Sequence, residues 1–275
     1  MAVLTVSKLS IAFGGLKAVD DLSFHVRPGE IYGLIGPNGA GKSTAFNCIT
    51  QFYKPDTGSV LFEGRGHTPI ELMGMPTHQI IKLGLVRTFQ NVELIGDLTL
   101  LENLLVGSHI AYQSGLFAQA FQLPKARREE QQLRQKALAV LDFLGIGQLA
   151  HAHAGGQPYG ILKKVELGRT LMVNPRLIIL DEPAAGLNET ETAELATLIQ
   201  AIRQDYQCSV LLVEHDMRLV MGICDRICAI SFGRKLAEGT PADIQASQAV
   251  QEAYLGKDET HINQDAQHVS KEESC

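Results

Sequence analysis

Long apolar runs are missing from this sequence. Segments such as Leu177-Ile178-Ile179-Leu180 have the length of a buried strand, and none approaches the ~18 residues that a helix needs to cross a bilayer. The N-terminal stretch MAVLTVSKLSIAFGG has no basic segment leading into an apolar core, so no signal peptide is expected. A dense Lys/Arg run is also missing, and the net charge is -6; both argue against a nucleic-acid-binding face. The nearest basic cluster, Lys125-Ala126-Arg127-Arg128, is followed at once by Glu129-Glu130 and reads as the charged start of a helix. The five cysteines, Cys48, Cys208, Cys224, Cys228 and Cys275, are odd in number and match no zinc spacing. Cys224 and Cys228 could share a helix face, but two thiols alone make a poor metal site. Buried, reduced thiols are the expectation. No internal repeat is found.

What is present is an ordinary globular balance. Apolar residues make up 45% and charged residues 20% of 275 positions, enough for one large or two modest domains with a proper core. The N-terminal part, to about Gly64, is strand-rich: Val3 to Phe13, Leu22 to Val26 and Ser59 to Phe62 alternate or cluster apolar residues. Arg27-Pro28-Gly29 is a turn, and Glu30 to Ile35 is a buried strand running into a glycine-rich loop. Residues 91 to 157 change character. Leu133, Ala137, Val140, Leu141 and Leu144 lie on one face of an amphipathic helix, which Gly145 and Gly147 stop. This region is expected to be a helical subdomain inserted into an α/β core. From Arg176 strands and helices alternate: Leu177–Leu180, Ser209–Val213 and Arg226–Ser231 read as buried strands. A helix with Leu195, Leu198, Ile199 and Ile202 on one face follows the first of them. The polar stretch 257–275 has almost no apolar residues and is expected to be disordered.

The segment Gly36-Pro37-Asn38-Gly39-Ala40-Gly41-Lys42-Ser43 fits the phosphate-loop pattern G-x-x-x-x-G-K-[ST], with a strand before it and a helix over Thr44 to Gln51 after it. Glycines let successive backbone N–H groups turn inward without Cβ clashes. The helix N-terminus adds about half a positive charge facing a phosphate. Lys42 can reach the β- and γ-phosphates of a nucleotide, and Ser43 can ligate Mg²⁺. The strand Leu177–Leu180 ends in Asp181-Glu182. At the carboxyl end of a central strand, Asp181 can hold Mg²⁺, and Glu182 can polarise a water against the γ-phosphate as general base. Two adjacent carboxylates are usually a solvated loop; the four apolar residues before them argue otherwise here.

With these elements in order, the chain resembles the ATP-binding subunits of ABC transporters, specifically those of branched-chain (hydrophobic) amino-acid importers. The resemblance runs from about Val3 to Gly256. It is carried by the phosphate loop and by Thr88-Phe89-Gln90-Asn91, DEPAAGLN (Asp181 to Asn188), VEHDM (Val213 to Met217) and AYLG (Ala253 to Gly256). It implies a single ATP-binding domain over 1–256, a P-loop NTPase core with a mixed or parallel sheet, an N-terminal antiparallel β subdomain and the inserted helical subdomain. Phe13 matches the aromatic residue that stacks on adenine, with Val19 packing nearby; by itself Phe13 reads equally as a core residue. Gly36, Pro37, Asn38, Gly39, Ala40, Gly41, Lys42, Ser43 and Thr44 would hold the nucleotide. Gln90 matches the glutamine that touches Mg²⁺ or the attacking water; without the other motifs it reads as a polar residue at a domain edge. His215 matches the switch histidine on the γ-phosphate. Ala185 to Asn188 matches a loop that crosses a dimer interface.

The signature segment departs from the common Leu-Ser-Gly-Gly-Gln. Gln157-Pro158-Tyr159-Gly160-Ile161 stands there. Gly160 is kept, Pro158 replaces the serine and brings neither hydroxyl nor N–H, and Ile161 and Leu162 stand where glutamines are usual. Pro158, Tyr159 and Gly160 would meet the ATP bound to a partner chain. The resemblance further implies ATP and Mg²⁺ as ligands, integral membrane permease subunits as partners, and a second ATP-binding subunit, identical or related. A periplasmic or extracellular solute-binding protein would act indirectly. The chain would sit peripherally on the cytoplasmic face of the (inner) membrane and bind no nucleic acid. Urea or short amides are alternative cargoes. A soluble ABC ATPase of nucleic-acid metabolism is a rival reading, which the single domain, acidic balance and lack of long inserts disfavour. A regulatory ATP-binding module with weakened hydrolysis is a second, suggested only by Pro158, Ile161 and Leu162.

Overall fold

The computed structural model describes residues 2–66, 68–88, 93–108 and 124–255. In chain order, β1 (Leu4–Phe13), β2 (Leu16–Val26), β3 (Ile31–Ile35), α1 (Lys42–Ile49), β4 (Thr57–Glu63) and β5 (Pro69–Glu71) come first. Next are α2 (Thr77–Leu83), β6 (Leu85–Arg87), α3 (Leu100–Gly107), α4 (Pro124–Phe143) and α5 (Tyr159–Leu171). The chain continues through β7 (Leu177–Asp181), α6 (Glu189–Asp205), β8 (Ser209–Val213), α7 (Met217–Ile223), β9 (Arg226–Ser231) and β10 (Arg234–Gly239), and ends in α8 (Pro241–Ala246) and α9 (Gln248–Leu255).

Two sheets result. An antiparallel sheet has the order β2-β1-β4-β5, and a six-stranded sheet the order β10-β9-β3-β8-β7-β6. In the second, β9, β3, β8, β7 and β6 run parallel while β10 pairs antiparallel with β9. The α/β fold class expected from the sequence, with its antiparallel N-terminal sheet, is the one observed. The apolar runs are explained by burial on both faces. Leu177 and Ile179 of β7, with Leu211 and Val213 of β8, enter the core shared with the antiparallel sheet and α1. Ile178, Leu180, Val210 and Leu212, the alternate residues, enter the core shared with the helices. With a side-chain period of two, both faces are buried, so polar residues stand only at the strand ends, Asp181 closing β7 and Ser209 opening β8.

The helical layer follows the predicted stripe. Ala137, Val140 and Leu141 of α4 and Leu144 just past its end are buried, and Leu133 is half-buried. Gly145, at φ 71, ends α4; its N–H bonds Asp142 O while Ile146 N–H returns to Leu141 O, the paired bonds of a left-handed C-terminal cap. Gly168 lets α5 close on α4: a Cβ there would lie 2.8 Å from Leu144 Cδ1. Within the expected helical segment 91–157 the described residues contribute α3 and α4. The layer extends further, because α5 packs on both. Among the described residues no helix is long and apolar enough to cross a membrane.

Cys48, Cys208, Cys224 and Cys228 are free and buried, as expected. Burial pushes the Cys48 and Cys208 thiols up to about 11 and those of Cys224 and Cys228 to about 12. The suggestion that Cys224 and Cys228 share a helix face does not hold. Cys224 caps the C-terminus of α7, and Cys228 lies in β9. The region 257–275 and Cys275 lie outside the described residues.

Candidate functional site

Parallel strands bring their carboxyl ends to one edge, where α/β folds bind ligands. Here β3 runs into the loop Gly36–Gly41, β7 ends at Asp181-Glu182, and β8 leads to Glu214-His215, with β3, β8 and β7 neighbours in the sheet. The three motifs, far apart in sequence, therefore share one edge.

The loop is shaped by close approaches that only glycine allows. A Cβ on Gly36 would lie 2.3 Å from Ile230 O. Gly41, the N-cap of α1, has φ 101, and a Cβ there would lie 2.3 Å from Ala18 O. It contributes no capping side chain, and the first turn of α1 holds no acidic residue. The leading N–H groups of α1 thus keep their positive end for an external acceptor, whereas α6 and α8 fill that role with Asn188/Glu191 and Thr240/Asp243 capping boxes. Lys42 is buried and its Nζ donates to Gly36 O at 2.7 Å and Pro37 O at 3.1 Å. The ammonium is thus held over the loop it would share with phosphate. The turn after β9 braces this loop: Gly233 N–H donates to Ala40 O, and Asp20 N–H to Gly233 O, both at 2.9 Å.

A cleft of about 310 Å³ opens on the loop. Residues 38–44, Leu16 and Lys17, Phe232 and Glu182 line it. Lys42, Ser43 and the expected general base therefore face one space. Glu182 has φ 46, a left-handed conformation that costs a non-glycine residue about 1 kcal/mol or more. Its N–H is anchored on Val213 O at 2.9 Å. Asp181 is buried, its Oδ2 accepting from Arg87 Nη2 at 2.6 Å, and its N–H meets Thr88 Oγ1 at 3.4 Å. His215 is exposed, with Nδ1 3.7 Å from Glu214 Oε2. Glu214 is fully buried and accepts from Ala184 N–H at 2.7 Å and His215 N–H at 3.0 Å. Burial raises its carboxyl above the usual range against these backbone donors. It ties the chain after Glu182 to the switch segment.

Phe13 ends β1 half-exposed, edge-on to Tyr53 at 5.5 Å. Val19 is fully buried in the core between the sheets; it supports the wall of the cleft from behind. Pro158, the N-cap of α5, and Gly160 border a different cavity, beside Glu191 and Leu187. Tyr159 packs on Gly186, where a Cβ would lie 3.0 Å from its Cε1. Gln90, with Phe89 and Asn91, lies outside the described residues, as does Gly256. Sequence reasoning missed Arg87, Glu214 as a tether, and Phe232. Glu214 had a signal, a charge directly following an apolar strand; Arg87 had none, since its partner Asp181 is 94 residues away.

Magnesium can be tested against these residues. No group of three or more His, Cys, Asp or Glu side chains that could hold a metal occurs among the described residues. Ser43 and Asp181 offer hard oxygen donors, which suit an ion held by one or two protein ligands and by substrate phosphates. The residues present fit it.

The fold and this site define a P-loop nucleoside triphosphatase. Comparisons then narrow the class. The family model described as "ABC transporter" matches residues 19–185, and that described as "Branched-chain amino acid ATP-binding cassette transporter" matches residues 234–260. The chain is 44% identical over 255 residues to the high-affinity branched-chain amino acid transport ATP-binding protein LivG of Salmonella typhimurium, covering 93% of this chain and 98% of that one. Identity is 43% over the same span and shares with BraF of Pseudomonas aeruginosa, a protein of the same description. The crystal structure of the ADP conformation of MJ1267, an ATP-binding cassette of an ABC transporter, superposes with a TM-score of 0.80 at 32% identity, covering 93% of this chain and 99% of that one. This chain belongs to the ATP-binding subunits of ABC transporters, and it is an ATPase.

Proposed function

We propose that this chain drives uptake of branched-chain or related hydrophobic amino acids, hydrolysing ATP on the cytoplasmic face of a membrane whose permease subunits are separate chains. The observation that carries the reading is the single cleft into which the phosphate loop, Lys42, Ser43 and Glu182 all open. The match of residues 234–260 to a branched-chain transporter model supports the cargo. In this reading the loop N–H groups and Lys42 hold the β- and γ-phosphates. Glu182 accepts a proton from the attacking water. His215 and Gln90 contact the γ-phosphate side, and Phe13 stacks on adenine. Ser43 and Asp181 would hold Mg²⁺, which supplies charge neutralisation on the phosphates when bound.

Pro158 and Gly160 border a cavity apart from the cleft, and Tyr159 packs on Gly186 beside it. That separation supports a head-to-tail pair in which each signature segment serves the partner's nucleotide. The pair is formed with a second copy or a related ATP-binding subunit, and a solute-binding protein delivers cargo from outside. The test is transport in proteoliposomes holding this chain with its co-purified membrane partners. ATP-dependent accumulation of labelled leucine, competed by isoleucine and valine, is the expected result. Uptake of urea or acetamide with no leucine uptake would replace the cargo. Failure to recover any integral membrane protein with the chain would overturn the importer.

A further inference from the structure

Arg87 joins the two halves of the site. It ends β6, where it pairs in register with Ile179 of β7. Asp181 stands two residues further along β7, on the same face as Ile179. From there one guanidinium nitrogen donates to Asp181 Oδ2 and the other to Asn47 Oδ1 on α1, each at 2.6 Å. The guanidinium carbon lies 5.9 Å from the centre of the Phe46 ring. The pair is nearly sealed, with the Arg87 side chain 10% and that of Asp181 6% exposed.

A buried ion pair is a poor device for stability alone, since apolar residues of similar volume commonly serve as well. The planar fork of arginine can hold two acceptors on two elements in fixed geometry, which an ammonium cannot. Here the elements are the helix that follows the phosphate loop and the strand that ends in the two carboxylates. One carboxylate oxygen is pinned and the other is left for a ligand.

Resting on the reading of Asp181 as the carboxylate on the metal side, we propose that Arg87 is a positioning residue of the ATPase. It fixes the rotation of the Asp181 carboxylate relative to α1, so that the magnesium ion accompanying the nucleotide meets a preset oxygen. Arg87 touches neither nucleotide nor metal; it acts through Asp181, and its loss shows as a demand for more magnesium.

The experiment measures binding of trinitrophenyl-ATP to the full chain, first in EDTA and then while magnesium chloride is titrated. Wild type, Arg87→Met, Arg87→Lys, Asn47→Ala and Asp181→Asn are compared, with folding checked by circular dichroism. In EDTA, Arg87→Met is expected to bind the probe like wild type. Its magnesium midpoint rises about tenfold, as for loss of a partner that orients a metal ligand. Arg87→Lys and Asn47→Ala shift it less, because each keeps one end of the bridge. Equal midpoints in Arg87→Met and wild type, with a shifted midpoint in Asp181→Asn, overturn the role of Arg87 and leave the metal-side reading standing. An unshifted midpoint in Asp181→Asn overturns that reading, and the inference with it. Equal losses with and without magnesium reduce Arg87 to a structural residue and also overturn it. If Arg87→Met does not fold, Asn47→Ala decides: a raised midpoint upholds the proposal, and an unchanged one refutes it.

Discussion

Lys42 is buried against the carbonyls of Gly36 and Pro37, so its ammonium already sits in the concavity of the loop. Lys42→Ala removes charge-assisted hydrogen bonds, each contributing roughly 1.5–3 kcal/mol. The expected outcome is a loss of at least about tenfold in ATP affinity by equilibrium dialysis. Normal binding would count against the loop as the phosphate site. Glu182 is placed differently. Its left-handed backbone is anchored on Val213 O, and its side chain lines the cleft. Glu182→Gln keeps the shape and removes the base. Turnover is expected to fall by a factor of about 10² to 10⁴ with ATP binding retained, and unchanged hydrolysis would remove Glu182 from the mechanism. Glu214 belongs to neither role. It satisfies backbone N–H groups on two segments at once, so Glu214→Gln, which turns an amide against donors, is expected to destabilise by about 1–3 kcal/mol in urea unfolding.

At the scale of elements, the helices are set by caps and by contacts across layers. Thr99 accepts from Glu102 N–H while Glu102 returns to Thr99 N–H, a reciprocal box at the start of α3. Thr99→Ala is expected to lower stability by ~1 kcal/mol, measured by thermal or denaturant unfolding. The C-terminus of α5 is held from outside. Lys136 on α4 donates to Met172 O at 2.7 Å and Asn174 Oδ1 at 2.5 Å, and Arg65 reaches Val173 O and Asn174 O. Burial, with the Arg65 charge adding, lowers the Lys136 ammonium from 10.5 to about 8. Folding thus disfavours its charged form. The stability owed to this group is full above 10.5 and is lost as pH falls through about 8. The gap in stability between wild type and Lys136→Met should widen as pH rises across that window; a flat gap would show that the group is not linked to folding.

At the scale of the whole molecule, one sheet edge gathers the phosphate loop and Glu182 around one cleft, and Pro158 and Gly160 border a separate cavity. If the working site is shared between two chains, two inactive variants should rescue each other. Lys42→Ala has a dead phosphate loop and an intact signature segment; Gly160→Glu has the reverse. A mixed pair contains one complete site, so the mixture is expected to regain ATPase activity with the membrane partners present. No recovery on mixing would rule out a site shared between two copies of this chain, leaving either a related subunit as the partner or hydrolysis by each chain's own residues alone.

Some features follow from local chemistry and were legible along the chain. Glycines at Gly36, Gly39 and Gly41 permit a backbone that other residues cannot adopt, so a phosphate loop is visible as such. Leu177–Leu180 is apolar at every position because both faces are buried, and its end at Asp181-Glu182 marks the site edge. The α4 stripe needs only the helical period. Other features were decided by packing between distant segments. The bridge from Asn47 through Arg87 to Asp181 spans 40 and 94 residues. Val19 sits behind the cleft wall because its side chain is buried in the core between the sheets, and Cys224 and Cys228 part company because one caps α7 and the other lies in β9. α5 joins the helical layer through the gap at Gly168. No periodicity records which strand neighbours which; the order β10-β9-β3-β8-β7-β6 arises only when both sheet faces are covered at once.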